Sequence, residues 1–278
     1  MAELIDSLKH IRLAIFDLDG VVYRGSKLIS NVDKIINKLK SLSIKVVYNS
    51  NNSTITRQTY VERLKNLKIP SEITDFYTSA SIASAEISKL KKNANIFVIG
   101  EIGLREELRL AGHRIFPDLS SEEIDFVIVG LDREFTYDKL SIAQKCILEG
   151  KAQFYATNAD STLPVAEGLK PGAGSMVNAL ITCTGQNPVR IFGKPEPFGI
   201  EIILRDTQIS PEQACIFGDR LNTDILAGNR AGITSIAVLT GVTTREMIED
   251  LKNKGKNFDN NHIPDLVIEN LGEVFKNN

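Results

Sequence analysis

The hydrophobic positions of the chain follow two patterns that alternate along its length. Short apolar runs occupy 13–16, 44–48, 95–99, 125–129, 152–156, 189–192, 214–217, 235–239 and 266–268. Runs of that length, bounded by polar or turn residues, predict strands buried on both faces. Between them apolar residues recur at helical spacing. Val32, Ile35, Ile36, Leu39 and Leu42 follow Ser30 and Asn31, and Val61, Leu64 and Leu67 fall within 56–67. Further helices are predicted over 79–90, 102–111, 137–149, 174–184, 198–204, 223–230 and 244–254.

Strand and helix taking turns is the grammar of a parallel sheet with covered faces. There are too many such units for one comfortable sheet in 278 residues. The expected partition is a core made of both chain ends, 1–83 and 187–278, with an inserted α/β unit at 84–186. A long polar loop is expected between the strand at 152–156 and the helix at 174–184, and a surface loop over the very polar stretch 252–261. The chain shows no repeat at fixed period and no low-complexity tract.

Composition narrows the function classes. With 42% hydrophobic and 24% charged residues the chain can bury a real core. A net charge of −2 gives no broad pull toward nucleic acid or an anionic membrane, so neither is an expected partner. No apolar window approaches the ~18–20 residues of a membrane span, and residues 1–6 lack a basic-then-apolar leader pattern. Cys146, Cys183 and Cys215 are odd in number and far apart in apolar contexts. They point to free thiols in a reducing cytosol, and so to a cytoplasmic protein, not to a disulfide frame or zinc site. His10, His113 and His262 stand beside no plausible nucleophile, which argues against a Ser-His-Asp or Cys-His enzyme.

The candidate chemistry begins where the run at 13–16 ends, in Asp17, Asp19 and Gly20. In open α/β sheets the crevice beyond the strands' carboxyl ends is where ligands bind. Two acids there repel each other and lose hydration unless a cation or a shared proton compensates. A hard divalent metal held by oxygen, magnesium foremost, would compensate them; equally, Asp-Gly is ordinary turn material and the acids could simply cap the strand. Polar clusters follow apolar runs at three further places: Ser50, Asn51 and Asn52; Gly193, Lys194 and Pro195; and Gly218 and Asp219 through Asp224. Ends of parallel strands lie along one edge, so these remote residues can converge. The carboxylates suit a metal and an attacking group, and a hydroxyl with amides at a helix start suits a phosphate oxygen. Lys194 offers a compact positive charge to hold phosphate and offset the acids. Asp219 and Asp224 could instead cap the next helix, and Ser50 to Asn52 could be turn chemistry.

Taken in order, Asp17-x-Asp19-Gly20, Ser50-Asn51-Asn52, Gly193-Lys194-Pro195 and Gly218-Asp219-Arg220-x-x-Thr223-Asp224 resemble the motifs of the haloacid dehalogenase superfamily. More narrowly the chain is similar to its phosphatases with a large α/β cap between the second and third motifs, the 4-nitrophenylphosphatase, phosphoglycolate phosphatase and nag-operon nucleotide phosphatase group. The cap matches in style at Val98-Ile99-Gly100-Glu101-x-Gly103-Leu104, Ala156-Thr157-Asn158-x-Asp160 and Lys170-Pro171-Gly172-x-Gly174. The resemblance covers nearly the whole chain.

It implies an α/β fold, a Rossmann-like parallel sheet core with helices on both faces and an inserted α/β cap domain. It implies Asp17 as the nucleophile that forms an aspartyl-phosphate, and Asp19 as general acid and then base. Asp17, Asp219 and the backbone carbonyl of Asp19 would hold Mg2+, with Asp224 orienting a water on the metal. Ser50 and Lys194 would bind the phosphoryl group, helped by the Asn51 amide. In the cap, Asn158 and Asp160 are candidates for touching the leaving group, or belong to a loop packed for its own sake. The implied protein is a cytosolic, magnesium-dependent phosphomonoesterase of small phosphorylated metabolites, its cap closing over the core crevice, with pairing through the cap into a homodimer.

Dehalogenases of the superfamily lack the second acid of the first motif, which here is Asp19, and its ion pumps carry Thr there together with membrane spans. The competing expectations are a phosphotransferase or phosphomutase, and a non-catalytic binder of phosphorylated metabolites on the same fold. Against the binder stands the complete set Asp17, Asp19, Lys194 and Asp219, since binding needs neither nucleophile nor acid.

Overall fold

Leu13–Phe16 is a strand in which every residue is buried, because alternate side chains feed opposite faces of a sheet. The structure is a computed structural model that describes residues 3–118, 123–165, 168–253 and 260–276. On one face Leu13 and Ile15 join Val47, Ile200, Ile203 and Ile216. On the other the Phe16 ring stacks on Phe217 at 4.6 Å and lies 6.5 Å from Tyr48. Two covered faces explain why the run is apolar throughout and does not alternate.

This strand lies inside a six-stranded sheet of order Leu266–Ile268, Thr234–Val238, Ala214–Gly218, Leu13–Phe16, Lys45–Ser50 and Phe76–Thr78. Its own pairings are parallel, with Phe16 opposite Phe217 on one side and Tyr48 on the other. The pairings outward to Leu266–Ile268 are parallel as well. The chain builds the sheet away from Leu13–Phe16 in one direction and later returns to its other flank with Ala214–Gly218. Such a reversal of strand order leaves a crevice at the carboxyl ends. The helix Val32–Ser41 buries Val32, Ile35, Ile36 and Leu39, four of the five positions its spacing predicts; the fifth, Leu42, caps the helix end and is exposed.

A second, five-stranded sheet has the order Arg190–Ile191, Gln153–Ala156, Phe126–Val129, Asn95–Ile99 and Arg114–Phe116, parallel throughout. Helices Tyr137–Leu148 and Ala173–Thr184 cover one of its faces, setting Ala143, Ile147, Val177 and Leu180 against Phe97, Val127 and Phe154. The chain falls into two compact units, one of residues 1–50, 61–77 and 194–278, the other of 51–60 and 78–193.

Two expectations are corrected, and one element is new. The run at 189–192 does not extend the core sheet: it forms Arg190–Ile191, which pairs with Gln153–Ala156 of the five-stranded sheet. A two-residue strand carries too little pattern to specify its partner. The long polar loop is in fact a hairpin, Thr162–Val165 with Gly168–Pro171. Its second strand is exposed along its whole length, so only backbone hydrogen bonds mark it and no apolar periodicity betrays it. A small hairpin of Tyr23–Arg24 and Lys27–Leu28, unforeseen, follows Gly20. Within the surface loop expected at 252–261, residues 254–259 lie outside the described residues. Among the described residues, no helix is long and apolar enough to cross a membrane.

Candidate active site

Asp17 stands one residue beyond Leu13–Phe16, where its N–H still donates to the Phe217 carbonyl at 2.9 Å and so extends the ladder. Asp219 follows the end of the neighbouring strand Ala214–Gly218. Asp224 sits in a π-helical turn, Leu221–Ile225, that leads into the helix Leu226–Arg230. One carboxylate oxygen from each of the three acids lies within 4.8 Å of the others. Asp219 and Asp224 are buried, and Asp17 is partly open.

Lys194 enters the same cluster. Its Nζ donates to Asp17 Oδ1 at 2.6 Å, to Asp224 Oδ1 at 2.6 Å and to the Asn49 carbonyl at 2.8 Å. Asp224 is held from a second side by the Arg220 N–H, 3.1 Å from its Oδ2. Ser50, buried, ends the strand Lys45–Ser50 one residue after Asn49.

The electrostatics follow from burial. Burial pushes the Asp17 carboxyl well above the usual carboxylate range; Lys194 pulls it down, while Asp224 and Asp219 push it further up. Asp219 is pushed up to about 6, by burial and then by Asp224. Burial alone would lower Lys194, but Asp17 and Asp224 outweigh it and keep the ammonium protonated above the ordinary lysine range. Three acids therefore share one ammonium in a place where uncompensated charge is costly. Oxygen donors of one sign, clustered and short of positive charge, fit a hard divalent cation.

Asp219 is positioned by groups the motifs do not contain. The Val242 N–H donates to its Oδ2 at 2.9 Å and the Thr243 N–H to its carbonyl at 3.0 Å. A Cβ at Gly241 would lie 1.9 Å from Asp219 Oδ2, and one at Gly20, where φ is +85°, 2.3 Å. Both glycines make room for the carboxylate. Backbone N–H groups carry no side-chain signature; the one trace available in the sequence is that Gly241 comes just past an apolar run, as the four motif clusters do.

Asp19 is not part of the three-acid cluster and is exposed. The protein around it nonetheless raises its carboxyl above the ordinary range, with Arg63 and Arg220 drawing it the other way. Asn51 belongs to the second unit. There its Nδ2 donates to Asp160 Oδ2 at 3.0 Å, and its carbonyl accepts from Asn158 Nδ2 at 2.7 Å and Ser79 Oγ at 2.6 Å. The Asp160 N–H donates to Asn158 Oδ1 at 3.2 Å. Asn51, Asn158 and Asp160, drawn from two stretches of chain, are one hydrogen-bonded group.

The chain is similar to known hydrolases in sequence and in fold. Residues 14–114 match a family described as haloacid dehalogenase-like hydrolase, and residues 191–274 one described as HAD-hydrolase-like. The 5'-nucleotidase YutF of Bacillus subtilis is 35% identical over 236 residues, which cover 85% of this chain and 90% of that protein. The crystal structure of a 4-nitrophenylphosphatase from Thermotoga maritima matches with a TM-score of 0.86 at 34% identity, covering 97% of this chain and 98% of that one. A glycerol phosphate phosphatase from Mycobacterium tuberculosis, solved in complex with magnesium, matches with a TM-score of 0.86 at 28% identity, covering 99% of this chain and 79% of that one.

Proposed function

The chain belongs to the haloacid dehalogenase-like hydrolases, and from that premise we propose that it is a magnesium-dependent phosphomonoesterase that hydrolyses small phosphorylated metabolites through an aspartyl-phosphate. The observation that supports this most is the Lys194 ammonium set 2.6 Å from both Asp17 and Asp224, in the cluster that also contains Asp219. Nucleophile, phosphate-binding cation and metal-binding acids are then one constellation. The names of the relatives, which mention a nucleotide, a nitrophenyl ester and glycerol phosphate, favour a small organic phosphate as substrate.

In this assignment Asp17 attacks the phosphorus and the ester P–O bond breaks, the leaving alkoxide taking the proton of Asp19. A raised carboxyl is suited to holding that proton. The Asp19 carboxylate then takes a proton from water as the water oxygen bonds to phosphorus. The P–O bond to Asp17 breaks, and inorganic phosphate and free Asp17 result. Lys194 and Ser50 bind phosphoryl oxygens, and Lys194 holds the attacking carboxylate in place. Asp17, Asp219 and the Asp19 backbone carbonyl would hold magnesium, with Asp224 beside them fixed by Lys194 and the Arg220 N–H. When bound, the ion neutralises the acids and the charge of the transferring phosphoryl group.

The test is release of 4-nitrophenolate from 4-nitrophenyl phosphate with and without magnesium. Magnesium-dependent release is expected. No release at any enzyme concentration would leave a non-catalytic binder, and transfer to an added sugar or alcohol faster than hydrolysis would mark a phosphotransferase. The free thiols of Cys146, Cys183 and Cys215 support a reducing cytosol as its place. Leu110, Tyr137 and Leu169 of the second unit are exposed and would be covered by pairing through that unit, which a solution mass by light scattering tests.

A further inference from the structure

Residues 240–243 form a strap that no motif contains. Its backbone grips Asp219 through the Val242 and Thr243 N–H groups, and Gly241 leaves the space the carboxylate fills. The same strap reaches the loop that carries Asp17 and Asp19. Thr240 Oγ1 donates to the Gly20 carbonyl at 2.7 Å, across 220 positions of sequence. The Thr240 carbonyl in turn accepts from the Arg24 guanidinium, at 2.7 Å from Nε and also from Nη2. Arg24 belongs to the small hairpin that follows Gly20, so the hairpin steadies the strap from outside.

Gly20 needs that support. Its φ of +85° places it in the region only glycine enters freely, and it has no side chain with which to fix its own peptide. Its N–H is held by the Tyr23 carbonyl at 2.8 Å within the loop. Its carbonyl is held by Thr240 from outside the loop. The Thr240 hydroxyl therefore joins the backbone beside Asp19 to the segment that sets Asp219.

We propose that Thr240 is a positioning residue that fixes the spacing between the Asp17–Asp19 loop and Asp219, and through it the affinity for magnesium. This rests on the assignment of Asp17 and Asp219 as magnesium ligands made above. Magnesium is small and demands near-ideal octahedral ligand placement, so a few tenths of an ångström between the two ligand-bearing segments matter. A valine in place of Thr240 keeps the shape and loses the donor, leaving the Gly20 carbonyl without its partner.

The experiment is calorimetric titration of magnesium alone into the full-length wild type, Thr240→Val and Thr240→Ser, with thermal melting of each in chelator. Removal of a hydrogen-bond partner behind a metal ligand predicts about tenfold weaker binding for the valine variant. The serine variant should bind like the wild type, and the melting temperatures in chelator should stay together. Turnover by the valine variant should recover at saturating magnesium, a shift in metal requirement and not in kcat. A wild type that takes up no magnesium overturns the ligand assignment, and this inference with it. Equal affinity of wild type and Thr240→Val overturns the positioning role alone, as does a serine variant that fails to restore binding. Should Thr240→Val not fold, Arg24→Gln takes its place, with about threefold weaker magnesium binding expected and unchanged affinity overturning the role.

Discussion

Lys194 and Asp17, 177 positions apart in the chain, face each other with Lys194 Nζ 2.6 Å from Asp17 Oδ1. The lysine side chain is 3% exposed, so protein acceptors must replace the water its ammonium has lost. Asp17, Asp224 and the Asn49 carbonyl do so. Replacing Lys194 by Met takes the counter-charge from two acids at once. It should lower stability by about 3–5 kcal/mol in urea denaturation without added metal and abolish phosphate release. A variant as stable as the wild type would show that these acids carry no charge in the folded chain.

Asp17→Asn should keep the fold, because the amide oxygen still accepts the Lys194 hydrogen bond. The amide is a poor nucleophile, so phosphate release should fall by about four orders of magnitude or more. Circular dichroism and a 4-nitrophenyl phosphate assay on the same preparation check both halves. Retained activity would remove Asp17 from the nucleophile's role.

Chelation should stop turnover, and magnesium should restore it. Calcium should fail to restore it and should inhibit the magnesium-loaded enzyme. Its larger and more flexible shell can take a carboxylate through both oxygens, which would occupy the oxygen Asp17 needs for attack. Steady-state rates over a calcium series at fixed magnesium decide this, and full activity with calcium would count against a direct bond from Asp17 to the metal.

His113 gives the second unit a pH dependence of its own. It is buried, its Nδ1 accepts the Ala94 N–H at 3.1 Å, and its Nε2 lies 2.9 Å from Ser88 Oγ. Burial holds the imidazole below its ordinary 6.5, so the unfolded chain binds the proton more readily than the folded one. The stability contributed by the neutral ring is thus complete above that value and is lost as pH falls through the window beneath it, with a slope of at most about 1.4 kcal/mol per pH unit. Urea denaturation of wild type and His113→Gln between neutral and mildly acidic pH should show the steeper loss in the wild type. Parallel curves would mean that His113 has the same proton affinity folded and unfolded.

Some elements could be read residue by residue. Leu13–Phe16, Ser79–Leu90, Asn95–Ile99 and Leu266–Ile268 have the bounds their hydrophobic pattern predicts. Others could not, for definite reasons. The strand Phe76–Thr78 and the hairpin Thr162–Val165 with Gly168–Pro171 are too short or too exposed to imprint a period. The side-chain amide of Asn51 donates to Asp160, a partner 109 residues away that no spacing could name.

By itself the sequence determined the alternation of strands and helices and the stock of acids, hydroxyl and ammonium that stand at strand ends, because burial pattern and residue chemistry are written locally. Tertiary structure alone decided that Arg190–Ile191 pairs with Gln153–Ala156, that Lys194 lies between Asp17 and Asp224, and that residues 240–243 grip Asp219 and Gly20. Pairing partners are chosen by the path of the whole chain. The groups that secure Asp219 are backbone N–H groups, which every residue but proline possesses and no side chain announces.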